Sequence, residues 1–193
     1  MNRFVIASHI SDNSFICLHT AFEFYGLYNQ NYYDVQVMSH KRFTEFNYGD
    51  YRYRCFLSNN SIQVDSIQGV KVTSIERTIV DSINLLGKSM DIEELVKCIE
   101  LIHHVNEKKI EKMLEYYDKD LLYRKVGYVL SYFKKELNLS DGFFNFCKGK
   151  SNELNYGYLS HSEIKKLKFI KEWGIYAYEN LKSLINKGGN IDV

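Results

Sequence analysis

Apolar and polar positions follow two different periods along the chain. Over residues 14–26, apolar side chains recur at steps of three and four, which predicts a helix there. These side chains are Phe15, Leu18, Phe22 and Tyr25. Over residues 34–73 the period falls to two, which predicts a sheet of four or five short strands.

Two turn signals divide this predicted sheet into hairpins. The segment Asn47–Asp50 contains a glycine and separates two alternating runs, a pattern typical of a hairpin. Gly69 separates the run around Val64 from the run around Val72 and predicts a second strand pair. Hairpins join antiparallel strands, so we expect the sheet to be largely antiparallel.

Helical spacing returns after the sheet. Four apolar stripes over residues 74–136, each with charges on the opposite side, predict four surface helices. The stripes begin at Ile75, Ile92, Ile110 and Leu122. In the closing segment, 156–187, we expect extended pieces at 156–159 and 173–176 and a last helix at 178–187. The pattern predicts one mixed α+β domain over 1–187, in which helices pack on a small sheet, followed by a disordered tail at 188–193.

Composition and charge exclude several classes of protein. The 193 residues carry 25 basic and 24 acidic groups, a net charge of +1, which argues against a general nucleic-acid coat or a polybasic membrane anchor. No apolar run approaches the roughly 20 residues that cross a bilayer, and the first twelve residues lack a signal peptide's apolar stretch. We therefore expect a cytoplasmic protein without a membrane partner.

The sequence contains no recognisable catalytic or metal-binding motif. Glycine-rich phosphate loops, a nucleophile elbow and the HExxH pattern are all absent. The four cysteines form no CxxC pair, so we expect buried free thiols and not a zinc or redox site. His103 and His104 are adjacent, and neighbouring helical side chains point too far apart to bind one metal. We expect no cofactor, no metal and no enzymatic activity.

One segment, Val72–Asp81, combines polar and apolar residues where a strand leads into a helix. Thr73 as the helix cap, with Glu76 three residues later, predicts a capping box. Arg77 and Asp81 are four residues apart and can form an ion pair along one helix face. These residues either serve a well-capped, buried helix start or form a polar cluster for a partner's charged group.

The same segment resembles a known family. A strand ending in Val-Thr-Ser, followed by Glu-Arg-Thr-x-x-Asp at Glu76–Asp81, is similar to the AbiEi-type antitoxins of toxin–antitoxin and abortive-infection systems. Phe15–Leu27 is similar to an earlier helix of that family. Arg124–Leu130, with Gly127-Tyr128, is similar to its later Arg-x-x-Gly-Tyr-x-Leu helix, and the Trp173–Tyr176 stretch is similar to its ending.

The resemblance implies an antitoxin of a type IV system and a set of partner-binding residues. Its partner would be a cognate nucleotidyltransferase-like toxin or that toxin's target, and no stable complex is required. The motif positions that carry over are Glu76, Arg77, Asp81, Arg124 and Tyr128. From the helical pattern alone, Arg124 would be a solvated surface charge and Tyr128 a core residue.

Two departures from the family pattern leave alternatives open. Ile75 stands where the family usually has proline, which is favourable but dispensable in a first helical turn. Typical family members also carry an N-terminal winged helix for DNA, and we expect none in the fourteen residues before Phe15. A DNA-binding regulator of the same operon is the main alternative, supported by a small basic strip at Arg124, Lys125, Lys134 and Lys135. An enzyme built from dispersed groups around His19, Glu76 and Asp81 is a further one.

Overall fold

A computed structural model describes residues 2–28, 30–150, 156–162 and 164–185. The chain divides into two compact units, Met1–Asp81 and Ser82–Val193, and each is described by itself. The prediction of one domain over 1–187 is not tested by this division alone and stays a prediction. The tail predicted at 188–193 lies outside the described residues.

The first unit is a six-stranded sheet with helices. Its elements in chain order are α1 (Arg3–Ser8), β1 (Phe15–Ile16), α2 (Leu18–Phe24), β2 (Asp34–Ser39), β3 (Phe46–Tyr48), β4 (Tyr51–Leu57), β5 (Val64–Ile67), β6 (Val70–Thr73) and α3 (Ile75–Asn84), which continues past the end of the unit. The strand order is β3-β4-β2-β1-β6-β5. One apolar core includes Ile16, Val35, Val37 and Val72, all at most 3% exposed.

The predicted mixed α+β class and the sheet over 34–73 are confirmed, and the strand directions are mixed. β1 with β2, β3 with β4, and β5 with β6 pair antiparallel. β2 with β4 and β1 with β6 pair parallel, and the β2–β4 ladder runs from Asp34 opposite Arg52 to Ser39 opposite Leu57. The two hairpins predict their own antiparallel pairs, but the order in which they join the sheet depends on tertiary packing.

Both predicted hairpins are confirmed, with turns that have left-handed backbone. Tyr48 pairs with Tyr51 across a two-residue loop in which Gly49 has φ of +58°. Ile67 pairs with Val70 across Gln68 and Gly69, with φ of +49° and +79°. Positive φ in short loops matches the twist of the flanking strands, and glycine adopts it without steric cost.

The helix predicted over 14–26 is partly wrong, because its first part is a strand. Phe15 lies opposite Met38 and Ile16 opposite Val37, so both enter the sheet interior, and α2 begins only at Leu18. The Gln36 side chain fixes this start by accepting a hydrogen bond from the His19 N–H at 2.8 Å. A buried two-residue strand is continuously apolar, so it merges with the helical stripe that follows it.

The second unit is helical with a small sheet near its end. Its elements are α4 (Ile92–Glu100), α5 (Glu107–Tyr117), α6 (Asp120–Ser131), α7 (Asp141–Gly149), β7 (Gly157–Tyr158), a 3₁₀ turn (Ile164–Lys166), β8 (Lys168–Ile170), β9 (Ile175–Ala177) and α8 (Lys182–Ile185). β9 is the central strand, parallel to β7 and antiparallel to β8. Across the described residues, no helix has the length and apolar character needed to span a membrane.

Most of the predicted helices and extended pieces are confirmed. α3 to α6 match the four stripes, and β7 and β9 match the extended pieces. The last helix is shorter than predicted, because only Lys182–Ile185 is helical within the described part of 178–187. α7 was not predicted, since its aromatic residues lie between Gly142 and Gly149 with little polar periodicity. Its cap is a signal that was missed: the Ser140 hydroxyl accepts the Phe143 N–H at 3.2 Å.

The four cysteines are free and buried, as predicted. Burial, followed by the Asp81 carboxylate, raises the pKa of Cys17 well above its ordinary value, and burial raises the pKa of Cys147 to about 12. A thiol reacts through its thiolate, so a higher pKa and poor access both slow its modification.

We expect the native protein to react slowly with a thiol reagent such as DTNB near pH 8. With a pKa of about 12, the thiolate fraction of Cys147 is roughly 10³-fold lower than that of an ordinary thiol. Poor access of the reagent slows the reaction further. Unfolding in guanidinium should release all four thiols at once. Rapid labelling of the folded protein at four sites would contradict the buried arrangement.

Candidate functional site

Ser74, and not Thr73, caps the helix that carries the Glu-Arg-Thr-x-x-Asp motif. The Ser74 hydroxyl accepts the Arg77 N–H at 3.3 Å, while Thr73 is the last residue of β6 and pairs with Val64. The predicted capping box of Thr73 and Glu76 is therefore wrong. The strand continues one residue further than expected, which places Glu76 at the second helical position, where it cannot reach back to the cap.

The Arg77 guanidinium lies inside the first unit and is bound on every side. Its Nε donates to Asp81 Oδ2 at 3.1 Å, which confirms the predicted ion pair, and both side chains are 0% exposed. The other donors reach acceptors in the connection that follows β4: Nη1 donates to Asn60 Oδ1 at 3.0 Å and to the Ile62 carbonyl, and Nη2 donates to Ser58 Oγ at 3.1 Å.

Two further contacts place the guanidinium against the middle of the sheet. Nη2 lies 3.6 Å from Met38 Sδ in β2, and the guanidinium carbon lies 4.9 Å from the centre of the Phe15 ring in β1. One side chain of α3 therefore contacts β1, β2 and the connection between β4 and β5. Its position in the core explains why this motif contains arginine, whose five donors form a fixed planar fork.

The remaining motif residues also make contacts within the unit. The Thr78 hydroxyl lies 2.8 Å from the Ser74 carbonyl and 2.7 Å from the Thr73 hydroxyl. Glu76 is at the edge of this region and 9% exposed. Its carboxylate is close enough to raise the pKa of Tyr25. Burial, followed by the Asp65 and Glu76 carboxylates, raises the pKa of Tyr25, whose hydroxyl donates to the Thr73 carbonyl at 3.1 Å.

Arg124 is buried, so the expectation of a solvated surface charge was wrong. It is 3% exposed, its Nη1 donates to the Gly174 carbonyl at 2.8 Å, and its Nη2 pairs with Asp120. The helical pattern of α6 could not show this, because the turn between β8 and β9 covers the side chain from a distant part of the sequence.

Gly127 and Tyr128 receive the same closing segment. A Cβ atom at Gly127 would lie 2.2 Å from Cζ3 of Trp173, so only glycine leaves room for the indole. The Tyr128 hydroxyl donates to the Tyr178 carbonyl, and burial and the neighbouring Tyr132 raise its pKa. The prediction that Tyr128 packs in the core is confirmed. Arg124, Gly127 and Tyr128 together bind the closing sheet to α6.

The basic strip that would support DNA binding is only partly exposed. Arg124 is buried, and Lys125 is half-buried with a pKa lowered by that burial. The Lys134 ammonium pairs with Asp141, and Lys135 is exposed. His19, from the dispersed-enzyme alternative, is 2% exposed, with its Nδ1 3.8 Å from Glu23 Oε2.

Five site residues were expected to bind a partner, and all five are at most 9% exposed. Arg77 and Asp81 pair within the first unit, and Arg124 and Tyr128 hold the closing segment in the second. Glu76 is the one nearest the surface. Partner binding by these residues stays a prediction, and their geometry gives each of them a place in the fold.

Comparison with protein families matches residues 15–131 to the AbiEi antitoxin C-terminal domain. The chain belongs to the AbiEi antitoxin family. The matched range is more than half of the chain and includes both the Glu76–Asp81 and the Arg124–Tyr128 motifs. The family is that of the antitoxins of abortive-infection systems, and the match is to its C-terminal domain. No curated protein matches it.

The fold has a counterpart among solved structures. The crystal structure of the RV2827C protein from Mycobacterium tuberculosis aligns with a TM-score of 0.65 at 11% identity. The alignment covers 92% of this AbiEi chain and 66% of that chain. At this identity the likeness concerns the fold alone.

We expect Arg77→Ala and Asp81→Ala each to destabilise the protein by about 3–5 kcal/mol, because each leaves an uncompensated buried partner. Urea unfolding, followed by circular dichroism, measures this loss. Lys108→Ala is the control, since it breaks an exposed pair with Glu111 and should cost no more than about 1 kcal/mol. Equal effects of the core and surface substitutions would contradict the assigned geometry.

We expect Gly127→Ala to cost about 1–3 kcal/mol, because the added methyl group overlaps the Trp173 ring. The tryptophan fluorescence should change as well, since Trp173 is the only tryptophan. Gly149→Ala is the matched control: among the described residues nothing lies within 4 Å of its Cβ position, so stability should stay within about 1 kcal/mol. A Gly127→Ala protein with native stability and native fluorescence would be inconsistent with this packing.

Proposed function

We propose that this protein is the cytoplasmic antitoxin of a type IV system and protects the cell from a nucleotidyltransferase-like toxin without catalysing a reaction itself. The observation that carries the proposal is the family match over residues 15–131, which includes the motif at Glu76–Asp81. The opposing toxin class, the type of system and the location are our proposals beyond the family's antitoxin role.

The contacts of the motif residues support a non-enzymatic role. A general base or nucleophile must reach a substrate, and catalytic groups lie within hydrogen-bond distance of the reacting atoms. Arg77 and Asp81 are each 0% exposed and are directed at each other. Their ion pair and the other hydrogen bonds of Arg77 connect parts of the first unit. The protective effect then depends on surfaces that this core supports.

The test is rescue of growth in a bacterium that expresses a nucleotidyltransferase-like toxin from an inducible promoter. We expect toxin induction to stop growth and co-expression of this full chain to restore it. A transcript with an early stop codon is the control, because it keeps the RNA and removes the protein. Failure to restore growth, with the folded protein present at the same level, would overturn the proposal.

A second measurement in the same cells separates a type IV mechanism from direct inhibition. Affinity purification of a tagged chain should recover little toxin even where growth is restored, because a type IV antitoxin acts without a stable complex. Stoichiometric co-purification of the toxin would contradict this part of the proposal while leaving the antitoxin role in place.

A further inference from the structure

Five aromatic rings form a continuous row on the closing sheet of the second unit. Tyr158 lies opposite Tyr176, and Phe169 lies opposite Tyr176, so these three side chains cross the strands on one face. Their ring centres are 5.0 and 5.3 Å apart. Tyr156 extends the row beyond Phe169 at 5.0 Å, and His161 extends it beyond Tyr158 at 5.7 Å.

This row lies at the surface and not in the core. Tyr156 is 69% exposed and Phe169 is 42% exposed. Ile175 and Ala177, which alternate with Tyr176 along β9, are buried on the opposite face. The sheet therefore already has an apolar face to pack, and folding alone does not account for large rings on its other face.

A groove of about 360 Å³ lies beside the outer end of the row. Tyr156, Phe169 and Trp173 supply its aromatic lining, and Lys148 and Lys171 supply cationic groups. The Glu172 carboxylate and the buried Arg124, paired with Asp120, complete the lining. The Lys148 ammonium lies 5.0 Å from the centre of the Trp173 ring and pairs with Glu172 at 2.6 Å. The groove thus combines flat apolar surfaces with positive charge at one place.

The segment beside the row is basic although the whole chain is nearly neutral. Residues 164–171 contain four lysines and no acidic residue. Lys165, Lys168 and Lys171 are exposed, and Lys168 pairs with Glu179 at 2.7 Å in an arrangement where both side chains remain largely in solvent. Exposed pairs of this kind exchange easily for another anion, because they contribute little to stability.

We propose that this surface binds single-stranded nucleic acid. Unpaired bases stack on the faces of Tyr156 and Phe169, and the backbone phosphates meet Lys165, Lys168 and Lys171. Aromatic rings beside a positive surface are the chemistry that binds single strands, since every base has a face for stacking. A duplex hides those faces, so the rings favour unpaired bases over paired ones.

The small extent of the patch agrees with the net charge of +1. Binding is local and does not require the whole surface to be basic. The inference goes beyond the antitoxin role. Its binding assay contains no toxin and does not depend on that role. Loss of binding and loss of growth rescue are therefore independent results.

The test is fluorescence anisotropy with the full chain and labelled oligonucleotides of about 12 nucleotides, offered as RNA, as DNA and as a DNA duplex. We expect both single strands to bind more tightly than the duplex. A preference between RNA and DNA would identify the source of the strand. Tighter binding of the duplex would overturn the proposal, and so would the absence of binding at low salt.

Substitutions locate the binding surface. Tyr156→Leu with Phe169→Leu keeps apolar volume but removes the stacking faces, and we expect affinity to fall about 5-fold or more for each ring. Tyr116→Leu is the control, because Tyr116 is 40% exposed on α5, outside the row. Unchanged circular dichroism shows that the variants fold. An equal loss in the control, or no loss in the double variant, would contradict the proposal.

Charge is tested by a second pair of variants and by salt. Changing Lys165, Lys168 and Lys171 to glutamine should weaken binding far more than the same change at the exposed Lys108, Lys112 and Lys135, although both remove three charges. With three or four phosphate contacts, affinity for a single strand should fall about 20- to 50-fold between 50 and 200 mM salt. Equal effects of the two triple variants would refute a local site.

Discussion

The guanidinium of Arg77 has to satisfy five donors in an interior without exposed surface. A buried charge is tolerated only when it is paired and its other hydrogen bonds are made. Asp81 supplies the opposite charge, and acceptors at Ser58, Asn60 and Ile62 supply the rest. Because these acceptors precede β5, the side chain fixes how the second hairpin joins the sheet.

In the second unit, the buried Arg124 is paired and hydrogen-bonded in a similar way. Here the arginine pairs with Asp120 on its own helix and binds the Gly174 carbonyl of a distant turn. Gly127 leaves room for Trp173, and the Tyr128 hydroxyl reaches the Tyr178 carbonyl. The two sequence motifs that indicate the AbiEi family are thus places where a helix is bound to segments far along the chain. A family pattern of this kind preserves a fold on which surfaces of different specificity can be built.

Local features of the fold could be predicted from the sequence, and non-local ones could not. The Gly49 and Gly69 turns, the helical stripes and the Arg77–Asp81 spacing are all set within a few residues, and the structure confirms them. The parallel pairing of β2 with β4 depends on packing of the whole sheet. Burial of Arg124 depends on a turn fifty residues away, so its helical position alone suggested solvent.

The candidate site shows the same limit more strongly. Spacing identified Arg77 and Asp81 as a pair but could not show whether the pair faces solvent or the core. The sequence also could not predict the aromatic row. Tyr158, Phe169 and Tyr176 are dispersed in sequence and become neighbours only through the strand order β7-β9-β8. The rings also resemble ordinary core residues until their exposure is known.

Amide hydrogen exchange in an Arg77→Lys protein tests the central claim most directly. Lysine keeps the charge beside Asp81 but has three donors on one atom, so it cannot reach the acceptors at residues 58–62 at the same time. We predict exchange at least about tenfold faster at residues 58–63 and at Ser74, whose N–H binds the Gln63 carbonyl at 2.8 Å, with residues 107–131 unchanged. Native protection at residues 58–63, or an even loss along the whole chain, would contradict the role assigned to Arg77.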